Sequence, residues 1–257
     1  MAEYVSTKLL DFLLADENWP AVPEERTAER LKECMFRASV AVDQDMYDKT
    51  GHHASGWAGE RSGSTGIFAL VTNTLVLVGN VGDSRAILIQ SQGTGDNNVA
   101  ACALSIDHTP SLGRERARVV AAKGRIERGR VDGTLAVTRA FGDFGYKCRA
   151  GALKEQPVTA QCEVQTWARG ERDLYLLLAC DGIWDVASNQ LAAMRVHQNI
   201  QGSSGRDAGE TTREAASGDL ALACADLLTL CLHRGSRDNM TAMLVDLRQH
   251  AEGEHAK

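Results

Sequence analysis

Residues 64–90, STGIFALVTNTLVLVGNVGDSRAILIQ, decide the fold class because they are rich in β-branched residues and are interrupted only at turn signals. The pairs Thr72-Asn73 and Gly82-Asp83 suit tight turns between strands. The stretch therefore predicts three consecutive antiparallel strands.

Helices and further strands surround this stretch. Apolar residues at helical spacing predict helices over residues 2–16, 24–47, 111–124, 188–200 and 219–234. Apolar, β-branched runs predict strands over residues 99–105, 125–128, 131–135, 158–166, 173–180 and 239–247. Because the helices group at the start and end of the chain, we expect an α+β fold, an antiparallel sheet sandwich flanked by helices.

The chain of 257 residues is long enough for one large domain with a substantial core. We expect a single domain over residues 1–248, with a polar surface loop at 201–218. A flexible tail is predicted for residues 249–257.

Composition excludes several classes of protein. The net charge is −6 and no Lys/Arg run is present, which argues against nucleic-acid and membrane partners. The seven cysteines include no CxxC pair, so we expect reduced thiols and an intracellular location, cytoplasmic or nuclear. The N-terminus carries Glu3, Lys8 and Asp11, unlike a signal peptide, and no apolar stretch is long enough to span a bilayer.

Four aspartates follow or precede predicted strands. Asp181 ends the apolar run LYLLLAC, Asp185 follows four residues later, Asp238 precedes the last strand and Asp107 follows the strand at 99–105. A carboxylate at the end of a buried strand is costly unless it is paired or binds a cation. Several carboxylates without Cys or His partners would suit Mg²⁺ or Mn²⁺.

Ordinary structural roles compete with this interpretation. An Asp after a strand is commonly a turn former or a helix N-cap, so each position alone is weak support for a metal. Asp83 is predicted to be a turn residue, and His52 and His53 to be loop residues. For His108, a hydrogen bond in a turn is favoured over a role as an acid.

Six segments, in this order and at suitable spacing, resemble the metal-dependent (PPM, or type 2C) protein serine/threonine phosphatases. They are SGSTGIFALV, LVLVGNVGDSRAIL, LSIDHTPS, VDGTLAVTRAFGDFGYK, LLLACDGIWDV and SRDNMTAMLV, and the resemblance runs from about residue 2 to residue 247. It implies a β-sandwich with helices on both outer faces, a four-layer α/β/β/α arrangement. It also implies two Mg²⁺ or Mn²⁺ ions that activate a water for in-line attack on phosphorus, without a phosphoenzyme.

The resemblance also implies roles for individual residues. Asp181 and Asp238 resemble the ligands of the binuclear centre. Asp107 and Asp185 resemble ligands of a third, weaker metal site that Asp181 shares. Residues 145–160 resemble the flap beside the active site, and residues 131–143 resemble a motif with a mainly structural role, as do Gly63, Ser64 and Thr65.

One family motif is absent from the 257 residues. An Asp-Gly-His-Gly-Gly segment normally supplies the bridging Asp and a His proposed as general acid, and an Arg that binds phosphate lies upstream of it. Here the resemblance begins at residues 2–10, AEYVSTKLL, which resemble the helix after that segment. Gly51-His52 is no substitute, because Thr50 precedes it and no strand leads into it. We expect the N-terminal strands of the sandwich to be missing and a sheet edge to be unpaired.

Two explanations follow, a shortened phosphatase or a natural member that lost catalysis, and retention of the four aspartates favours the first. The expected function is hydrolysis of phosphoserine and phosphothreonine in proteins, with this chain weakly active or inactive. The alternative is a pseudophosphatase that binds phosphoproteins or regulates a partner. Structural binding of Mg²⁺ or Ca²⁺ is less favoured because no EF-hand spacing is present.

Overall fold

The computed structural model describes residues 1–22, 25–49, 62–93, 98–147, 156–204 and 213–248. The predicted tail at 249–257 lies outside the described residues, as do His52 and His53. The helices are α1 (Ala2–Leu14), α2 (Ala28–Lys49), α3 (Gly113–Ala121), α4 (Asp181–Trp184), α5 (Asn189–Ser204) and α6 (Arg213–His233). None of the described helices is long and apolar enough to cross a membrane.

Eleven strands are present in the described residues. They are β1 (Gly63–Ser64), β2 (Gly66–Val71), β3 (Leu75–Val81), β4 (Arg85–Ser91), β5 (Val99–Ala103), β6 (Ile126–Glu127), β7 (Arg130–Val131), β8 (Phe141–Gly142), β9 (Glu163–Ala168), β10 (Asp173–Ala179) and β11 (Ala242–Asp246). Together with the helices they confirm the predicted α+β class.

The chain forms two compact units, and the first comprises residues 1–84 and 105–167. Its main sheet has the strand order β2-β3-β9. The β2–β3 hairpin forms as expected, because the Thr72 hydroxyl accepts the Leu75 N–H at 2.9 Å in the turn. Apolar residues of α1 and α2, among them Leu31, Met35 and Val42, are packed with strand residues such as Leu77 in one core.

The second unit comprises residues 85–104 and 168–257. Its sheet has the order β11-β10-β4-β5, with every neighbouring pair antiparallel. Leu176 and Leu177 are adjacent on β10 and both fully buried, as predicted for a strand buried on both faces. Side chains of α5 and α6 form the core of this unit together with one face of the sheet.

The prediction of three consecutive paired strands was wrong at its third member. β3 and β4 lie in different sheets, so the turn at Gly82-Asp83 is not a hairpin. The backbone of Gly82 is instead bonded to His108: its carbonyl accepts the His108 N–H at 2.9 Å. Asp83 lies in this turn, as predicted.

Several element boundaries also differ. α2 begins four residues late because Thr27 caps it, with its hydroxyl accepting the Arg30 N–H at 3.3 Å. α6 begins at Arg213, inside the predicted loop at 201–218, and α5 extends to Ser204. Residues 158–162 are not part of β9; Thr159 instead forms an isolated bridge with Arg139.

Candidate metal centre

Asp181 lies just beyond the C-terminal end of β10, an inner strand of its sheet. Three of the predicted ligands, Asp181, Asp185 and Asp238, belong to the second unit, where β10 ends at Ala179 and α4 begins at Asp181. Trp184 fixes this turn, because its indole N–H donates to the Ala179 carbonyl at 2.8 Å and its ring lies 5.2 Å from the Arg85 guanidinium. The position of Asp181 is therefore set by a buried strand and an anchored aromatic ring.

Hydrogen bonds hold the segment that carries Asp238 against this turn. The Ser236 hydroxyl donates to the Gly182 carbonyl at 2.7 Å, and the Cys180 N–H donates to the Thr241 carbonyl at 3.2 Å. A Cβ atom at residue 182 would overlap the carbonyl oxygen of Asn239, so only glycine permits this close approach. Sequence reasoning placed Asp238 immediately before the strand; the structure places it four residues before β11.

Asp185 returns towards Asp181 through one turn of helix. The Asp185 N–H donates to the Asp181 carbonyl at 2.8 Å, which puts the two side chains on one side of α4. The sequence prediction that these two aspartates approach each other is consistent with this geometry.

Two neighbouring acidic side chains act on the Asp181 carboxyl. Burial raises the pKa of the Asp181 carboxyl, and the charges of Asp238 and Asp185 raise it further. The Gly182 N–H acts in the opposite direction. Three carboxylates thus repel one another here, which is the electrostatic setting that a divalent cation relieves.

The described residues contain no group of three or more His, Cys, Asp or Glu side chains already arranged to hold a metal ion. The donor chemistry nevertheless fits a hard cation, because the three carboxylates supply only oxygen ligands. Asp238 and Asp185 are close enough to Asp181 to raise its pKa, but the three side chains are not arranged as a metal-binding group.

Asp107 belongs to the first unit, and its place among the metal ligands stays a prediction. It lies four residues beyond the end of β5, on a loop that the next residue fixes. His108 is fully buried; its Nδ1 accepts the Gly82 N–H at 3.3 Å, so Nε2 carries the proton and donates to Glu163 at 3.2 Å. A hydrogen bond within a turn was predicted for His108; its ring is instead bonded to Gly82 and Glu163, which are 26 and 55 positions away. Burial lowers the pKa of the ring.

Asp143 is a carboxylate that sequence reasoning passed over, because the run 131–143 was taken to be structural. It directly follows β8, has a left-handed backbone with φ of 48°, and lies against Gly63, where a Cβ would overlap its carboxyl group. Burial raises the pKa of Asp143, Lys147 opposes this shift and Asp43 adds to it. An Asp directly after a strand was the signal that could have identified it.

A family model described as protein phosphatase 2C matches residues 8–240 of the chain. The chain belongs to the protein phosphatase 2C family. The family resemblance inferred from the six sequence segments is therefore confirmed.

Curated relatives agree with this assignment. Protein phosphatase 1B of Rattus norvegicus is 34% identical over 251 residues, covering 95% of this chain and 58% of the relative. The probable protein phosphatase 1N of Mus musculus is 42% identical over 188 residues, covering 73% of this chain and 41% of the relative. The chain thus spans about half the length of the curated relatives it matches.

Solved structures share the fold. A C. elegans sex-determining protein has a TM-score of 0.72 at 22% identity, covering 96% of this chain and 53% of that chain. A serine-threonine phosphatase 2C from Toxoplasma gondii has a TM-score of 0.69 at 21% identity, covering 95% of this chain and 80% of that chain. These likenesses confirm the predicted α+β fold class of antiparallel sheets and flanking helices.

Proposed function

We propose that this member of the protein phosphatase 2C family is a Mg²⁺- or Mn²⁺-dependent protein serine/threonine phosphatase, or the larger part of one. Its substrates are phosphoserine and phosphothreonine residues of proteins. The observation that carries the proposal is Asp181, a partly buried carboxylate whose charged neighbours are two further aspartates, in a chain of this family.

Each aspartate has a role in the proposal. Asp181 and Asp238 hold the binuclear centre, and Asp185 and Asp107 join Asp181 at a third, weaker site. When bound, the ions supply a water of lowered pKa as nucleophile for attack on phosphorus. The chain itself orients the carboxylates: β10 and Trp184 hold Asp181, and Ser236 holds the segment of Asp238.

The proposal also covers the extent of the domain, its cellular location and its partners. Residues 1–248 are proposed to act as a single phosphatase domain in an intracellular location, cytoplasmic or nuclear. All the described cysteines are free, in keeping with a reducing compartment. Neither nucleic acid nor membrane is proposed as a partner.

A second candidate is a pseudophosphatase that binds phosphoproteins or regulates a partner without hydrolysis. The observation that favours it is that the described residues hold no group of three or more His, Cys, Asp or Glu side chains arranged to bind a metal ion. On this candidate the remaining aspartates contribute at most to binding.

Hydrolysis of a phosphothreonine peptide with Mn²⁺ or with EDTA tests the proposal. The chain is compared with Asp181→Asn and with the matched variant Asp11→Asn, which removes an exposed carboxylate of α1. Because the family's first metal motif is absent from the 257 residues, weak Mn²⁺-dependent hydrolysis that Asp181→Asn loses and Asp11→Asn keeps is the expected result. Binding of the phosphopeptide without hydrolysis in any metal would overturn it in favour of the pseudophosphatase.

A further inference from the structure

Residues 111–130 carry an excess of positive charge on an otherwise acidic protein. Seven Lys or Arg residues stand against two Glu, a net charge of +5, whereas the whole chain carries −6. The basic residues are interspersed with apolar ones and form no continuous run. Their concentration on one stretch of surface becomes evident only from the folded chain.

This segment folds as helix α3 followed directly by the β6–β7 hairpin. Lys123, with φ of 61°, ends the helix in place of the expected Gly124, and its N–H donates to the Val120 carbonyl at 2.9 Å. Arg128 and Gly129 have φ of 51° and 75° and form the two-residue hairpin turn. The short connections keep the helix and the hairpin together as one local surface.

Six of the seven cations are exposed, and we name them the α3–β7 basic surface: Arg114, Arg116, Lys123, Arg125, Arg128 and Arg130. The seventh, Arg118, turns inward and binds the buried Glu115 at 2.6 Å. Arg118 and Glu115 neutralise each other, so the outward-facing charge is nearly all positive.

Within the described part of the chain, three of these six cations have no side-chain or carbonyl partner. Arg114 pairs with Glu163, Arg125 lies 3.4 Å from Glu127, and Arg130 donates to the Thr134 carbonyl at 2.8 Å. Among the residues that the structure describes, no side chain pairs with the remaining three cations, Arg116, Lys123 and Arg128. Unpaired like charges repel one another, and this repulsion is relieved when an anionic partner binds.

The surface is connected to the loop that carries a predicted metal ligand. Arg114 shares the Glu163 carboxylate with His108, the residue that follows Asp107. Val120, with 57% of its surface exposed, follows Arg116 by about one turn of α3 and offers an apolar contact. Cations around an apolar residue suit an acidic peptide, whereas the net charge of −6 disfavours a long polyanion such as nucleic acid.

We propose that the α3–β7 basic surface binds an acidic segment of the protein substrate, so that phosphorylated sites flanked by glutamates or aspartates are preferred. This substrate class rests on the phosphatase function proposed above. The binding itself, however, needs no catalysis and can be measured alone.

Fluorescence anisotropy of labelled peptides in EDTA at low salt tests the surface. Two unphosphorylated peptides are compared, one with a run of six glutamates and one with six glutamines, and the same pair is then used with a central phosphothreonine. The glutamate peptides are expected to bind about tenfold more tightly than the glutamine peptides, with the difference shrinking in about 0.5 M salt.

Two sets of substitutions localise the effect. The triple variant Arg116→Gln, Lys123→Asn, Arg128→Asn uses asparagine where the backbone is left-handed, and it should lose most of the tenfold preference. The matched variant Arg26→Gln, Lys32→Gln, Arg172→Gln removes three exposed cations elsewhere and should keep it.

Equal binding of glutamate and glutamine peptides, or equal losses in the two triple variants, would overturn the proposal. Tighter binding of a single-stranded oligonucleotide than of the glutamate peptide, lost in the first triple variant, would assign the surface to nucleic acid instead and also overturn it. A preserved glutamate preference without any Mn²⁺-dependent hydrolysis would contradict the phosphatase function and leave the surface assignment intact.

Discussion

Two buried or partly buried carboxylates of this protein have neighbours of opposite charge. Glu115 on α3 in the first unit is fully buried and receives hydrogen bonds from Arg118 at 2.6 Å, Arg139 at 2.7 Å and Thr138 at 2.7 Å. Asp181 in the second unit is partly buried, and the charged groups that shift its pKa are the acids Asp238 and Asp185.

The pKa values follow these surroundings. Burial alone would raise the pKa of Glu115, but the hydrogen bonds and charge of Arg139 and the charge of Arg118 outweigh it and lower the pKa to about 2. At Asp181 burial and the neighbouring charges act in the same direction and raise the pKa.

The comparison separates a carboxylate that the chain itself pairs from the carboxylate that is proposed above as a metal ligand. The chain supplies the counter-charges of Glu115 itself, so this residue contributes to the stability of the fold. The charged groups that act most on the pKa of Asp181 are two further aspartates, and the proposal above assigns the relief of this repulsion to a bound cation. The following substitutions test this difference.

The largest effect is expected for Glu115→Gln. Removing the charge leaves Arg118 and Arg139 buried without their partner, which should cost about 3–5 kcal/mol in the free energy of unfolding. Urea denaturation measures it. Glu33→Gln, which removes an exposed carboxylate beside Arg37, is the control and should cost about 0.5 kcal/mol or less. Similar losses in both variants would show that burial of the network is unimportant.

The pH dependence of stability should report the same residue. Because the folded-state pKa of Glu115 is about 2 and its ordinary value is 4.5, its contribution is present above about pH 4.5 and is lost as the pH falls towards 2. The loss amounts to about 3 kcal/mol for the native chain. The difference in the free energy of unfolding between pH 5 and pH 2 should therefore be smaller by this amount in Glu115→Gln than in the native chain. The same difference in both proteins would contradict the pairing of Glu115 with the arginines.

Gly182→Ala should have an intermediate effect. The added methyl group meets the backbone of Asn239, so the segment with Asp238 has to move, at a cost of about 1–3 kcal/mol. Gly170→Ala is the matched change in the same unit, because a Cβ at residue 170 meets nothing within 4 Å. Thermal unfolding of the two variants compares them, and equal midpoints would mean that the close approach at residue 182 is not needed.

Asp181→Asn should have the smallest effect on the metal-free protein. The substitution removes one of three mutually repelling charges, so the free energy of unfolding in EDTA should stay unchanged or rise by about 1 kcal/mol or less. Asp16→Asn, which breaks the pair with Arg37 at 2.7 Å, should instead lose about 1 kcal/mol. A clear loss in Asp181→Asn would identify it as a structural carboxylate like Glu115.

The sequence predicted the elements that depend on local pattern. The β2–β3 hairpin followed from β-branched stretches on both sides of the Thr72-Asn73 turn signal, and β10 from its continuous apolar run. The proximity of Asp181 and Asp185 followed from their spacing of four residues.

Features that depend on contacts between distant residues were not predicted. His108 forms two hydrogen bonds with Gly82, at the turn between β3 and β4, and no local sequence pattern predicts these bonds. The same holds for the network of Glu115 with Arg139, whose partners are 24 positions apart. The α3–β7 basic surface was missed because only continuous runs of basic residues were sought.

Thermal unfolding of the metal-stripped chain, with and without Mn²⁺, tests most directly whether Asp181 is a ligand. A cation that binds the folded chain and not the unfolded chain raises the midpoint, and the rise grows with the logarithm of the cation concentration once that exceeds the dissociation constant. We predict that Mn²⁺ raises the midpoint of the native chain and of Glu33→Gln, and leaves that of Asp181→Asn unchanged. An equal rise in all three proteins, or no rise in any, would contradict the assignment of this carboxylate to a metal site.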